Sequence, residues 1–344
     1  MSILRKDPVS SGWVIMAEER ARRPHEVSSP PVVRGDSANC PFCEGREQRT
    51  PPEIAAYRGG TARDAPGWRV RTIPNKFAAL RIEGDLGRRA EGIYDAMNGV
   101  GAHEVIIETP DHMSHMGEYP VDKLAEILHM YRDRALDLYK DERFRYIQIF
   151  RNYGDVAGAS LAHPHSQLIA IPITPRWVKE ELICAKEHWQ TKERCIFCDI
   201  LRQEERDEVR VVFQNDAFLS FAPYASKFPF ETWILPKRHA SEFRHLSDEE
   251  IAPLAEVLGR TLWALQQALD DPPFNYIVHS APRISLDRYS HTAISIDKDY
   301  HWHIEIIPRT TKIAGFEWGT GFYINPTLPE SAADYLRSVL SQKA

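Results

Sequence analysis

The deciding stretch is Asn152-Tyr153-Gly154-Asp155-Val156-Ala157-Gly158-Ala159-Ser160, followed by His163-Pro164-His165-Ser166-Gln167-Leu168-Ile169-Ala170. A loop of small and polar residues runs into an apolar, β-prone segment, which reads as a turn feeding a strand. Alternate residues of a strand share a face, so His163, His165 and Gln167 point the same way. Pro164 has no N–H for a ladder, which predicts a strand start at a sheet edge or just entering the sheet. The small residues upstream, Gly158 among them, let backbone N–H groups and the Ser160 hydroxyl approach a phosphate.

This grouping suits a histidine nucleophile. An imidazole of pKa about 6.5 is roughly three-quarters neutral at pH 7. Its neutral nitrogen can attack phosphorus, and the imidazolium-like adduct is then a good leaving group. The other ring nitrogen needs a partner to fix the tautomer, and a nearby backbone carbonyl would serve. Gln167 offers an amide N–H to the phosphoryl oxygens. A lone strand histidine would read as a satisfied sheet residue. Beside His163 and Gln167, after a Gly/Ser loop, His165 reads as catalytic.

Working outward, the chain repeats itself. The first half runs Cys40-Pro41-Phe42-Cys43, a strand from His103 to Glu108 ending at Asp111-His112, a helix, the strand Tyr146–Phe150 and the His163 run. The second runs Cys195-Ile196-Phe197-Cys198, the strand Glu231–Leu235 leading to Pro236-Lys237-Arg238-His239, a helix, the strand Asn275–His279 and His301-Trp302-His303-Ile304-Glu305. Several motifs matching in order argue for two copies of one unit. Apolar residues at three- and four-residue steps predict helices over Val121–Leu138 and Ser247–Leu269, the latter opened by a Ser247/Glu250 capping box. The fold class is therefore α+β, with two tandem halves, each a mostly antiparallel sheet with one long helix. The halves are 1–172 and 195–344, joined by a linker over 173–194. The two sheets are expected to join into one. Residues 20–39, rich in Arg, Pro, Ser and Val, are expected to form an irregular arm.

Two Cys-x-x-Cys turns in a reducing compartment read as metal ligands rather than disulfides. Each is completed by two histidines to a tetrahedral, charge-neutral zinc site. The first set is Cys40, Cys43, His112 and His163. The second is Cys195, Cys198, His239 and one of His301 or His303, with His301 taken first. Four protein ligands leave no open position, so both sites are expected to be structural. Iron in place of zinc at the second is left open. Cys184 stands alone and reads as a core thiol. Counted back from Pro308, Glu305 takes the place of His165 in the second half, so one nucleophile per chain is expected.

The chain has 344 residues, 43 Lys and Arg against 49 Asp and Glu, and a net charge of −6. Its basic residues are scattered, which argues against a nucleic-acid partner. No apolar run approaches the ~20 residues of a membrane span, and the N-terminus has no signal-peptide core. A cytoplasmic location is expected.

Asn152 through Gln167, with both Cys-x-x-Cys pairs, resembles the galactose-1-phosphate uridylyltransferase family of the histidine-triad superfamily, over nearly the whole chain. The resemblance implies UMP transfer from UDP-glucose to galactose 1-phosphate through a uridylyl-histidine. It implies that His165 is the nucleophile, that Gln167 stabilises the phosphoryl group, that Asn152 and Ser160 bind phosphate and that Asn75 lies near the nucleoside. It favours His112 over His103 as a zinc ligand. It also implies a homodimer, with Glu317 at the sugar-contacting position. Tyr323 stands where the transferases have a glutamine, and Gly315-Phe316-Glu317-Trp318-Gly319-Thr320-Gly321, the second zinc set and Ile324-Asn325-Pro326 are more similar to the ADP-glucose phosphorylase branch, which passes AMP to inorganic phosphate. Pro164 follows the transferases. A zinc-containing nucleotide sensor, binding without turnover, is the reading from another class.

Overall fold

The computed structural model describes residues 1–22, 32, 35–283 and 295–342; the arm expected over 20–39 lies largely outside them. Strands β1 (Ile3–Lys6) and β2 (Trp13–Met16) open the chain. The first half then holds β3 (Ala55–Arg58), β4 (Trp68–Pro74), the hairpin β5 (Arg89–Glu91) and β6 (Tyr94–Ala96), β7 (Ala102–Ile107), β8 (Tyr146–Tyr153) and β9 (His165–Ile171). The second holds β10 (Val211–Gln214), β11 (Phe218–Phe221), β12 (Thr232–Pro236), β13 (Phe274–His279), β14 (His303–Pro308) and β15 (Tyr323–Asn325).

Ten strands form one sheet, in the order β10-β11-β12-β14-β13-β8-β9-β7-β4-β3, and every pairing in it is antiparallel. The expected joining of two sheets happens between β13 and β8, where Asn275 faces Asn152 and Tyr276 faces Arg151. The order reads the same outward from that seam, so the halves are related as two copies. β9 is central, between β8 and β7, rather than at an edge. Pro164 is tolerated because the strand starts one residue later, at His165; the proline carbonyl accepts the Glu108 N–H at 3.1 Å.

Helices α1 (Val121–Leu138), α2 (Arg176–Lys192), α3 (Ile196–Asp207) and α4 (Asp248–Ala268) follow in chain order. The helix expected over Val121–Leu138 spans those residues, and α4 carries the Ser247/Glu250 capping box. The apolar stripes of α1 and α4 pack side by side on one face of the sheet, burying Tyr131, Leu258 and Leu262 with Ile106, Leu168 and Ile304. The opposite face carries two smaller cores. One, in the first half, contains Cys40, Phe42, Val105 and Ile107. The other, in the second, contains Cys195, Phe197, Phe221 and Trp233. Residues 173–194, expected as a plain linker, hold α2, because Val178, Glu181 and Ala185 at helical spacing find a buried face. No helix among the described residues is long and apolar enough to cross a membrane.

Candidate active site and metal centres

Both Cys/His sets assemble on the face opposite α1 and α4. Cys40, Cys43, His112 and His163 bring one donor atom each within 4.8 Å of one another, and so do Cys195, Cys198, His239 and His301. Cys43 Sγ lies 3.4 Å from His112 Nδ1 and 3.6 Å from His163 Nδ1, and the two nitrogens are 3.3 Å apart. Cys198 Sγ lies 3.4 Å from His239 Nδ1 and 3.6 Å from His301 Nδ1. Sulfur at about 2.3 Å and nitrogen at about 2.0–2.1 Å from a tetrahedral ion give edges of about 3.5 and 3.3 Å, so the residues fit a metal. The distal nitrogens are also placed for it. His163 Nε2 donates to the Thr109 carbonyl at 2.7 Å and His301 Nε2 to that of Pro236 at 2.9 Å, which leaves each Nδ1 lone pair free. Burial pulls the His163 pKa down to about 4 and favours the neutral, ligating ring.

His165 is buried on the same face. Its Nδ1–H donates to the His163 carbonyl at 2.8 Å, so Nε2 is the nitrogen with a free lone pair. Burial lowers its pKa below the ordinary imidazole value, which enriches that neutral form. The ring opens into a cavity of about 360 Å³ lined also by Phe42, Asn75, Ser160 and Gln167. Asn152 and Gly158 sit beside it rather than in its lining. Asn152 Oδ1 accepts from Asn275 Nδ2 at 2.8 Å, and the same Asn275 amide donates to the Ala157 carbonyl at 2.8 Å, which holds the 155–158 turn. Gly158 ends that turn at φ +89°, a conformation an L side chain resists. Glu317 is not in this cavity. It lies on the short helix Gly315–Thr320, between exposed Phe316 and Trp318.

The second half corrects one expectation. His303 Nδ1 donates to the His301 carbonyl at 3.1 Å, as His165 does to His163. With His301 at the metal cluster, His303 is the counterpart of His165, and Glu305 that of Gln167. The cross-strand pairs Val105↔Gln167 and Trp233↔Glu305 agree. Counting from Pro308 misleads because that proline marks no fixed register: aligned on His301 and His163, it falls opposite Ala170 and Glu305 opposite Gln167. His303 is nevertheless walled in: Trp233 stacks on it at 5.0 Å and Phe197 packs at 5.1 Å. Beside it lies a buried group unforeseen in the sequence, Glu181, His279, His303 and Glu305, with donor atoms within 4.8 Å. Here His279 Nδ1 donates to Glu181 at 2.7 Å, and Tyr300 donates to the same carboxylate at 2.7 Å.

Two further features of the first half were not foreseen. His103 stays out of the metal cluster, in line with the preference for His112, but its contact is a new one: it lies 2.8 Å from Gln167 Oε1. On the helix side of β9, Ser166 joins Glu108, Tyr131 and Tyr276 in a buried hydrogen-bonded chain. Glu108 is paired there with Arg151 at 3.0 Å. The alternation that points His165 and Gln167 one way points Ser166 the other, which was the available signal.

A family model described as the N-terminal domain of galactose-1-phosphate uridyl transferase matches residues 2–175, and one described as a domain of unknown function (DUF4921) matches 100–344. ADP-glucose phosphorylase of Arabidopsis thaliana is 35% identical over 98% of this chain and 92% of its own. Galactose-1-phosphate uridylyltransferase of Thermotoga maritima is 29% identical over 98% of each. A crystal structure of the Arabidopsis thaliana phosphorylase with bound ADP-glucose superposes with a TM-score of 0.82, at 33% identity, covering 98% of this chain and 99% of that one. A uridylyltransferase structure gives 0.75 at 29% identity, covering 100% and 99%. The chain belongs to the galactose-1-phosphate uridylyltransferase family, whose members here comprise uridylyltransferases and ADP-glucose phosphorylase.

Proposed function

We propose that this protein transfers a nucleoside monophosphate from a nucleotide sugar by way of a covalent adduct on His165. The observation that carries the reading is the Nδ1–H bond to the His163 carbonyl, which leaves Nε2 as nucleophile inside a cavity. In the first step Nε2 bonds to the α-phosphorus, and the bond from that phosphorus to the bridging oxygen breaks, releasing the sugar 1-phosphate. In the second, an acceptor oxygen bonds to phosphorus and the P–N bond breaks, restoring the ring. Gln167 donates an amide N–H to the phosphoryl oxygens in both steps. Asn75 serves the nucleoside, and Ser160 and Asn152 the phosphate side.

Release of AMP to inorganic phosphate is the first reading of the acceptor. It is supported by the 35% identity to an ADP-glucose phosphorylase and by the second Cys/His cluster. UMP transfer from UDP-glucose to galactose 1-phosphate, which the sequence put first, is the second reading, supported by the Thermotoga maritima relative. Both Cys/His clusters suit zinc, since two thiolates with two imidazoles favour it over iron at the second site as at the first. Glu317, carried between exposed Phe316 and Trp318 away from its own cavity, suits a homodimer in which it completes the partner's site. The test incubates the enzyme with ADP-glucose or UDP-glucose and measures glucose 1-phosphate release, then adds phosphate or galactose 1-phosphate. Release from ADP-glucose with discharge by phosphate supports the first reading. Release from UDP-glucose with discharge by galactose 1-phosphate supports the second. Binding without release overturns both in favour of a sensor.

A further inference from the structure

We propose that His103 is a positioning residue that holds the Gln167 side chain in its productive orientation; this rests on the reading of His165 as nucleotide carrier. Gln167 can help transfer only if its NH2 end faces the phosphoryl group. Its carbonyl end would repel the same oxygens. The two ends of an amide have nearly the same shape, so packing alone does not choose between them. Something must bind the oxygen.

The choice traces back to a main-chain group. The Ala79 backbone N–H, which can only donate, lies 3.2 Å from His103 Nδ1. Nδ1 is therefore an acceptor, and a neutral imidazole then carries its proton on Nε2. Gln167 Oε1 is 2.8 Å from that nitrogen. Asn75 Nδ2 is 3.1 Å from it, but it is a donor, since Asn75 Oδ1 is taken by the Phe77 N–H at 2.9 Å. Gln167 Oε1 is left as the acceptor, and the amide NH2 is turned away from His103. Both residues lie on the site face of neighbouring strands, where His103 pairs with Ile169 and Gln167 with Val105. That diagonal relation keeps them within reach.

The second half shows what the arrangement excludes. By the Val105↔Gln167 and Trp233↔Glu305 registers, the counterparts of His103 and Gln167 are Glu231 and Glu305. Glu231 accepts from the Trp233 indole at 3.0 Å and from the Lys227 N–H at 2.6 Å. Glu305, kept ionised against its burial by the neighbouring His279, offers only acceptors where Gln167 offers an N–H, and it repels a phosphate. The orienting chain belongs to the half that carries His165.

The experiment uses the full-length enzyme and follows the single-turnover rate of adduct formation, with kcat and KM, for ADP-glucose and UDP-glucose. His103→Phe removes the N–H, His103→Glu offers only acceptors and His103→Gln restores a donor. The phenylalanine and glutamate variants are expected to lose roughly 10²-fold in adduct rate and kcat, as for loss of one transition-state donor, with KM changed less than about threefold. His103→Gln is expected to recover about tenfold of that loss. In a Gln167→Ala background, His103→Phe is expected to cost less than about twofold more, because a residue acting through Gln167 has nothing left to act on. If the phenylalanine variant fails to fold, His103→Glu carries the same comparison. Wild-type rates in either variant, or an undiminished effect in the Gln167→Ala background, would overturn the role of His103. A wild-type enzyme that forms no adduct with either sugar nucleotide would instead overturn the reading of His165.

Discussion

His165 and His163 are joined through one carbonyl: the His163 main-chain oxygen accepts the His165 Nδ1–H at 2.8 Å, while His163 Nδ1 faces the Cys43 thiol at 3.6 Å. The residue that orients the proposed nucleophile is thus itself part of the first Cys/His cluster. The second half repeats the anchor around His301, but there the oriented ring, His303, is covered by Trp233.

The two clusters should therefore differ in what their loss does. Cys43→Ala and Cys198→Ala should each remove one metal ion per chain and lower the melting temperature, because the ion's binding energy is folding energy. Only Cys43→Ala should also slow adduct formation, by about tenfold or more, through a loosened His163 carbonyl. Elemental analysis, thermal melts and single-turnover rates check this. Equal effects of both variants on the rate would count against the link.

The pair under the sheet should matter for stability. Glu108 and Arg151 are 0% and 1% exposed in their side chains. Arg151→Met leaves a buried carboxylate without its cation and should cost about 3–5 kcal/mol in urea unfolding. Arg151→Met with Glu108→Leu should recover a large part of that cost, since the buried charge goes too.

A pH dependence follows from His279. Burial lowers its pKa, but the Glu181 and Glu305 carboxylates outweigh burial and raise it to about 9. A pKa raised above the unfolded value of about 6.5 gives stability that is full below that value and lost as pH rises through the folded one. Between pH 6.5 and 9 the native protein should lose stability relative to His279→Gln as pH rises, read as converging unfolding free energies. A constant gap across that window would contradict the network.

How far the sequence reaches is visible in particular residues. The helix Val121–Leu138, the Ser247/Glu250 cap and the Cys/His sets were legible because each is a local pattern: a period, a cap, a spacing. His103 and Glu181 were not. His103 meets Gln167 only through the register of β7 on β9, and Glu181 reaches His279 from a helix in a stretch that reads as a linker. The place of Glu305 was misread because strand ends, unlike strand faces, carry no period.

The measurement that tests the central claim most directly is intact mass after mixing with ADP-glucose or UDP-glucose, followed by peptide mapping. The account predicts an added nucleoside monophosphate, one per chain, on His165, absent from His165→Asn although that variant keeps its fold and metal content. An unmodified native chain, or a nucleotide carried by the His165→Asn chain, would contradict it.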